Sequence, residues 1–281
     1  MSVRFLADNS GTLPSLSHVP TWLNDPENWR GPDGLGNLIV QHVFYTVVAV
    51  GIAFVIALPL GLFIGHTGRG VALIGGLANG LRAIPILGLI LYLVVTFSGD
   101  IHWTKAVPAL VDQGALPYFI LVEAALALLA IPPVLTNTYA GVQNVDPAVR
   151  DAAKGMGMTG AQVVRKVELP CALPLIMSGV RSATLQVIAT ATVAGYIPLM
   201  GGLGRPIFVG IQTINDLHTG YPAVVSAGLV VALLAIVVDV LLIGVQRAIV
   251  SPGLNARIAT KKPHRRDRVV RKSVVVDANI R

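Results

Sequence analysis

Charge is scarce in this chain: only 12% of its 281 residues are Asp, Glu, Lys or Arg, against roughly 25% in an ordinary soluble domain. With 54% hydrophobic residues and a mean hydropathy of +0.71, it has too little polar surface to cover a water-exposed fold. That largely excludes the soluble-enzyme classes. A single cysteine, Cys171, leaves no partner for an intramolecular disulfide and no thiolate cluster for zinc. The six histidines (His18, His42, His66, His102, His218 and His264) include no pair at ligand spacing, so no metal site is expected.

What the chain does have is long apolar runs. Windows of about 20 mostly apolar residues, enough to cross a bilayer, occur near 38–65, 71–97, 117–142, 172–199 and 222–248. Arg82 and Pro85 interrupt the second window. Either half alone is too short to span, so one broken or kinked helix is expected there. The expected fold is therefore an all-α membrane protein of five transmembrane helices. It divides into a segment 1–37, a membrane domain 38–250 with a long loop at 143–171, and a tail 251–281.

The charges that do occur orient it. Segments 1–37, 98–116 and 200–221 carry four basic residues, Arg4, Arg30, Lys105 and Arg205. Arg69, Arg150, Lys154, Arg165, Lys166 and the ten basic residues from Arg247 onward fall on the other side. The positive-inside rule then places the N-terminus outside and the C-terminus in the cytoplasm. Residues 1–37 lack the apolar stretch of a cleavable signal peptide, and Trp22 and Trp29 read as interfacial anchors. The basic tail reads as a solvated topology determinant drawn to anionic lipid, which accounts for the formal charge of +7 without nucleic acid.

Membrane embedding does not explain the loop 143–171. Asp146 followed by Pro147 is an N-cap and first-turn pair, starting a short helix to about Gly155–Gly157. Thr159 with Gln162 is a capping-box signature for a second helix, which is expected to end before Pro170. Two short helices joined at glycines make an elbow below the membrane, which these signals alone read either as a docking surface or as a merely structured loop.

Within that elbow, Asp151-Ala152-Ala153, three residues, Gly157, nine residues, Val167, one residue and Leu169-Pro170 resemble the EAA signature of ABC importer permeases. Asp151 stands where the family usually has Glu, and Val167 where it usually has Ile. The resemblance implies a type I ABC importer permease fold and a coupling helix seated in a groove of a cytoplasmic ATPase. It implies ATPase coupling through Asp151, Ala152, Ala153, Gly157, Leu169 and Pro170. Small Ala152 and Ala153 permit close helix approach, and Gly157 permits the sharp turn. Over residues 38–250 the chain is most similar to the osmoprotectant permeases, those for glycine betaine, choline, carnitine or proline betaine. Gly155–Thr159, Val167–Pro170, Gln186–Thr192 and Gly201-Gly202-Leu203-Gly204 carry that likeness. Permeases for methionine and other small solutes share the layout.

No residue is assigned a catalytic role. The run Gly201–Gly204 lacks the lysine of a phosphate-cradling loop and reads as a tight turn or re-entrant bend, so ATP and magnesium are expected on a partner ATPase and no cofactor on this chain. Ionisable residues inside spans are costly and face one another or a cavity. At 1.5 Å per residue, Arg181 lies ~14 Å above the start of its span and Asp239 at about the same height, which predicts a structural ion pair. Arg82 and Glu123 differ by only about 5 Å in depth, and Asp216 sits at the outer edge. Candidates for the solute path are Asn79, Arg82, Glu123, Asn137, Gln186, Thr190 and Thr192, with Thr136 beside them. The uncharged ones read more readily as glue between helices, while Arg82 and Glu123 read equally as a buried ion pair. The spans lack the clustered Trp and Tyr of an ammonium cage, so capture belongs to an extracytoplasmic solute-binding protein, as the resemblance also implies.

The sequence thus points to a multi-pass plasma-membrane permease of an ATP-driven importer. One five-span chain offers half a pathway, which calls for a second permease chain, identical or a paralogue, and two ATPases. The reading from another class is a self-contained secondary transporter or channel, with the intramembrane charges as an ion relay.

Overall fold

The computed structural model describes residues 16–71, 76, 80, 81, 83–98, 115–197, 199–216 and 218–250, and among these there is no β-strand. In chain order come α1 (His18–Asn24), a 3₁₀ turn (Pro26–Trp29), α2 (Leu35–Thr67), α3 (Ile86–Phe97), α4 (Leu116–Gln143) and α5 (Pro147–Gly155). Then follow α6 (Gly160–Val163), a π-turn (Val164–Glu168), α7 (Leu169–Ala191), a 3₁₀ turn (Thr192–Tyr196), α8 (Gly204–Gln212) and α9 (Gly220–Ile249).

Four stretches are long and apolar enough to cross a membrane: α2, α4, the rod Gly160–Tyr196 that contains α7, and α9. They occupy four of the five expected windows. In the remaining window, α3 begins only after Pro85, whose backbone is extended. Its 12 residues reach about 18 Å, short of a hydrocarbon core of about 30 Å. Residues 72–75, 77–79 and 82 of that window lie outside the described residues, as do 1–15, 99–114 and the tail 251–281.

α4 is the central helix, packed against α2 on one side and α7 on the other. Small residues make this close packing possible. Along α2, Ala49, Ala53, Ala57, Gly61 and Gly65 recur every four residues and are all buried, whereas Val47, Val55 and Phe63 on other faces are exposed. From Ala49 onward α2 buries only its small stripe and exposes large apolar side chains, which suits lipid, where backbones must approach closely to gain van der Waals contact. A Cβ on Gly65 would lie 2.6 Å from Val142 Cβ, and one on Gly61 would lie 2.7 Å from Thr138 Cβ. Gly65→Leu should therefore push α2 off α4 and cost about 1–3 kcal/mol of packing. A lowered unfolding midpoint in detergent, partly restored by Val142→Ala, is the expected result. An unchanged midpoint would refute the contact.

The elbow differs from its expected shape at its second helix. That helix does not end before Pro170: α6 runs through the π-turn directly into α7, and the Leu169 N–H bonds the Val164 carbonyl five residues back. Proline lacks an N–H and crowds the carbonyl four residues earlier, here that of Lys166. The wider π-turn sits at that point and lets the helix continue. Within the elbow, only α5 is thus a separate short helix, and α6 is the foot of the third long rod. Two further helices, α8 inside 200–221 and α1 inside 1–37, lie where the apolar windows predict none.

Candidate functional site

Two groups of side chains lie at opposite ends of α2. The first surrounds the elbow. α5 starts as its sequence dictates: the Asp146 carboxylate accepts the Ala148 N–H at 2.9 Å and Pro147 occupies the first turn. It ends in a paired-bond cap, Gly157 N–H to Lys154 O at 2.9 Å and Met158 N–H to Ala153 O at 3.2 Å. Gly157 there has φ +83°, which costs any L side chain about 1–2 kcal/mol. A Cβ at this position would meet nothing within 4 Å, so the requirement is conformational rather than steric. The capping box closes next, with Thr159 N–H donating to Gln162 Oε1 at 2.8 Å and Gln162 N–H to Thr159 Oγ1 at 3.4 Å.

Asp151 and Ala152 are exposed, as is Lys154, while Ala153 is buried against the bundle. Val149 and Met156 add exposed apolar surface, Met156 at 72%. Leu169 and Pro170 are half-buried at the start of α7. The elbow therefore presents a mixed apolar and charged ridge away from the spans.

Beneath it lies a constellation that the sequence did not reveal. Glu168, in the π-turn, is completely buried and carries both partners on one carboxylate. His66 Nδ1–H, from the last turn of α2, donates to Oε2 at 2.9 Å, and Arg150 Nε of α5 is paired to Oε1 at 2.9 Å. The Arg150 guanidinium also donates to the Val142 carbonyl at the end of α4. Four elements converge there. The signal available was a Glu just before Leu-Pro, but its partner His66 lies 102 residues away.

The second group sits near the other end of α2. Gln41 Oε1 accepts the Gly202 N–H at 2.9 Å, and the Tyr45 hydroxyl accepts the Gly201 N–H at 3.3 Å. His42, fully buried, donates from Nε2 to the Ile188 carbonyl at 2.9 Å and accepts the Leu203 N–H on Nδ1 at 3.3 Å. The run Gly201–Gly204 is thus a bend clasped by one turn of α2, with Gly202 at φ +78°. Asp216 lies just before the neighbouring α9, and its main-chain carbonyl accepts the Gly220 and Tyr221 N–H groups at 3.1 Å. Its carboxyl is held below the usual carboxylate range by the Thr219 hydroxyl and the His218 and Thr219 N–H groups.

The structure brings Arg181 and Asp239 together. Arg181 Nε donates to Oδ1 at 2.9 Å and a terminal nitrogen donates to Oδ2 at 3.0 Å, a two-pronged contact linking α7 and α9. The path candidates are dispersed and mostly occupied. Asn137 Nδ2 donates to the Pro133 carbonyl, Thr136 to that of Pro132, Thr190 to that of Gln186 and Thr192 to that of Ala189, all at 2.7–2.8 Å. Gln186 is half-buried one turn before Thr190. Glu123 is buried in α4, and neither oxygen has a hydrogen-bond partner among the described residues. Asn79 and Arg82 lie outside the described residues, and so does the expected proximity of Arg82 to Glu123.

Comparison with known proteins places this geometry. The family model of the binding-protein-dependent transport system inner membrane component matches residues 57–250. The osmoprotectant import permease protein OsmW of Salmonella typhimurium is 32% identical over 221 residues, covering 78% of this chain and 94% of that protein. The glycine betaine/carnitine/choline transport system permease protein OpuCB of Bacillus subtilis is 29% identical over 214 residues, 76% of this chain and 88% of that protein. The choline transport system permease protein OpuBB of the same organism is 30% identical with the same coverage. A solved chain of the inward-facing MetNI methionine ABC transporter shares the fold, with a TM-score of 0.62 at 21% identity over 81% of this chain and 100% of that one.

Proposed function

The chain belongs to the binding-protein-dependent transport system inner membrane components, and from that premise we propose that it is the permease of an ATP-driven osmoprotectant importer. Its relatives named above are permeases for glycine betaine, carnitine, choline or osmoprotectants in general, and the solute of this chain is of that class. It is an inner-membrane transport component and not itself the ATPase. A system of this kind works with an ATPase and a solute-binding protein.

Five spans, with the N-terminus outside, complete the reading. A second permease chain, identical or a paralogue, supplies the other half of the pathway. Two ATPases carrying ATP and magnesium drive alternating access from the cytoplasmic side. They dock on the elbow through Asp151, Ala152, Ala153 and Gly157, with Leu169 and Pro170 at its foot. The Arg181–Asp239 pair is structural, while Glu123, Asn137, Gln186, Thr190 and Thr192, with Asn79 and Arg82, supply weak polar contacts along the path. A solute that must be released should meet such contacts rather than a cage.

The observation that carries the docking assignment is α5 itself. It is a helix ended by its own caps, exposed along most of its length and anchored on its inner face by Arg150 and Ala153. A bundle that only had to span lipid has no use for it. Purifying the tagged chain from membranes and identifying what accompanies it by mass spectrometry tests this. The ATPase and a permease chain should be recovered, and recovery of neither would remove the importer reading.

A further inference from the structure

We propose that Glu168, held in its π-turn, is a positioning residue that ties the docking helix to the spans and so sets how much solute moves per ATP hydrolysed. This rests on the importer reading above and extends it to the residue through which force passes.

The argument begins with how little else holds α5. Its side chains are exposed except at Ala153 and Arg150. Among the described residues, Arg150 makes the polar side-chain ties from α5 to the rest of the bundle, one to Glu168 and one to the Val142 carbonyl. A pull on α5 is therefore delivered to Glu168 and to the end of α4. Glu168 shares its carboxylate with His66, so the same load reaches α2, and its own backbone is the start of the α7 rod. One fully buried carboxylate thus joins the docking helix to α2 and α7, and Arg150 adds the end of α4 through the Val142 carbonyl. The Glu168 carboxylate is buried while His66 and Arg150 are partly exposed, and ion contacts at a buried carboxylate are screened less than those of fully exposed pairs.

The π-turn is the second, independent observation. It inserts one residue into the rod. Each residue of an α-helix turns about 100°. Without the insertion, α6 and the capping box would be rotated by that amount relative to α7, and the chain leading back to α5 would leave from another side. π-turns of this kind recur at functional sites. Here the turn both accommodates Pro170 and presents Glu168 inward, between His66 and Arg150. Gly160 stands beside this joint: a Cβ on it would lie 3.5 Å from the other ring nitrogen of His66.

The test uses the complete complex of this chain with its ATPase and binding protein in proteoliposomes. ATP hydrolysis and uptake of radiolabelled choline or glycine betaine are measured on the same sample. Glu168→Gln keeps the shape of the side chain and removes its charge. The variant should reach the membrane, retain its ATPase and hydrolyse ATP, while solute moved per ATP falls by about 10-fold, within the 5–150-fold span of coupling between two sites. A merely structural role would lower protein level and both rates together and leave their ratio unchanged. Arg150→Gln, which leaves Glu168 with His66, should lower the same ratio and decides the matter if Glu168→Gln fails to accumulate. A wild-type ratio in whichever of the two is obtained would overturn the proposal and leave the importer intact. Absence of ATP-dependent uptake in the wild-type complex would instead overturn the importer reading beneath it.

Discussion

Arg181→Met, with Asp239 left in place, should lose about 3–5 kcal/mol of stability, and most of the protein should disappear from the membrane. The two side chains meet by a two-pronged contact, each about a quarter exposed, between α7 and α9. Removing one partner strands a charge in a setting where water is scarce, and that stranded charge accounts for most of the loss. Asp239→Leu should behave alike. The double variant Arg181→Met with Asp239→Leu should recover much of the level, because two apolar side chains leave nothing unpaired. Levels in washed membranes and unfolding midpoints in detergent measure this cycle. Single variants that accumulate normally yet fail to take up solute would move the pair from structure into the solute path.

Gly204→Ala should be as severe. A Cβ there would lie 1.8 Å from the Thr192 carbonyl oxygen, and one on Gly195 would lie 2.2 Å from the carbonyl carbon of Gly204. Two backbones touch at this crossing, between the turn that ends the third rod and the start of α8. A rotating side chain could yield, but backbone cannot. The cost should reach or exceed the upper end of the roughly 1–3 kcal/mol typical of overpacking. The bend clasped by Gln41, His42 and Tyr45 would be displaced with it. Gly244→Ala on α9, where a Cβ meets nothing within 4 Å, is the control and should accumulate at least as well as the wild type, since alanine favours helix over glycine. Equal levels of the two variants would show that the crossing is not as close as described.

Local chemistry made parts of this molecule legible in advance. Asp146-Pro147 and Thr159 with Gln162 announced helix starts because a capping bond joins residues two or three apart, and both bonds are present. The long rods were legible from apolar runs, since lipid demands them. Depth counted along two spans set Arg181 and Asp239 at one level, and the structure joins them.

What could not be read was long-range or exceptional. Glu168 meets its partner His66 across 102 residues, and no local pattern records such a pairing. Pro170 reads as a helix stop, because the rule for proline assumes a regular ladder and the π-turn departs from one. The clasp on Gly201–Gly204 was hidden in the same way, with Gln41 and His42 standing in an apolar run and their partners about 160 residues away. Among the path candidates, Asn137 and Thr190 also donate to carbonyls of their own helix, a common use of Asn and Thr inside helices.

The importer account is tested most directly by uptake of labelled choline or glycine betaine into proteoliposomes holding this chain, its partner permease, ATPase and binding protein. The proton and sodium gradients are collapsed while ATP is supplied on the cytoplasmic face. The account predicts uptake that persists under these conditions and falls to background when either ATP or the binding protein is withheld. Uptake by this chain alone, driven by an ion gradient without ATP, would contradict it.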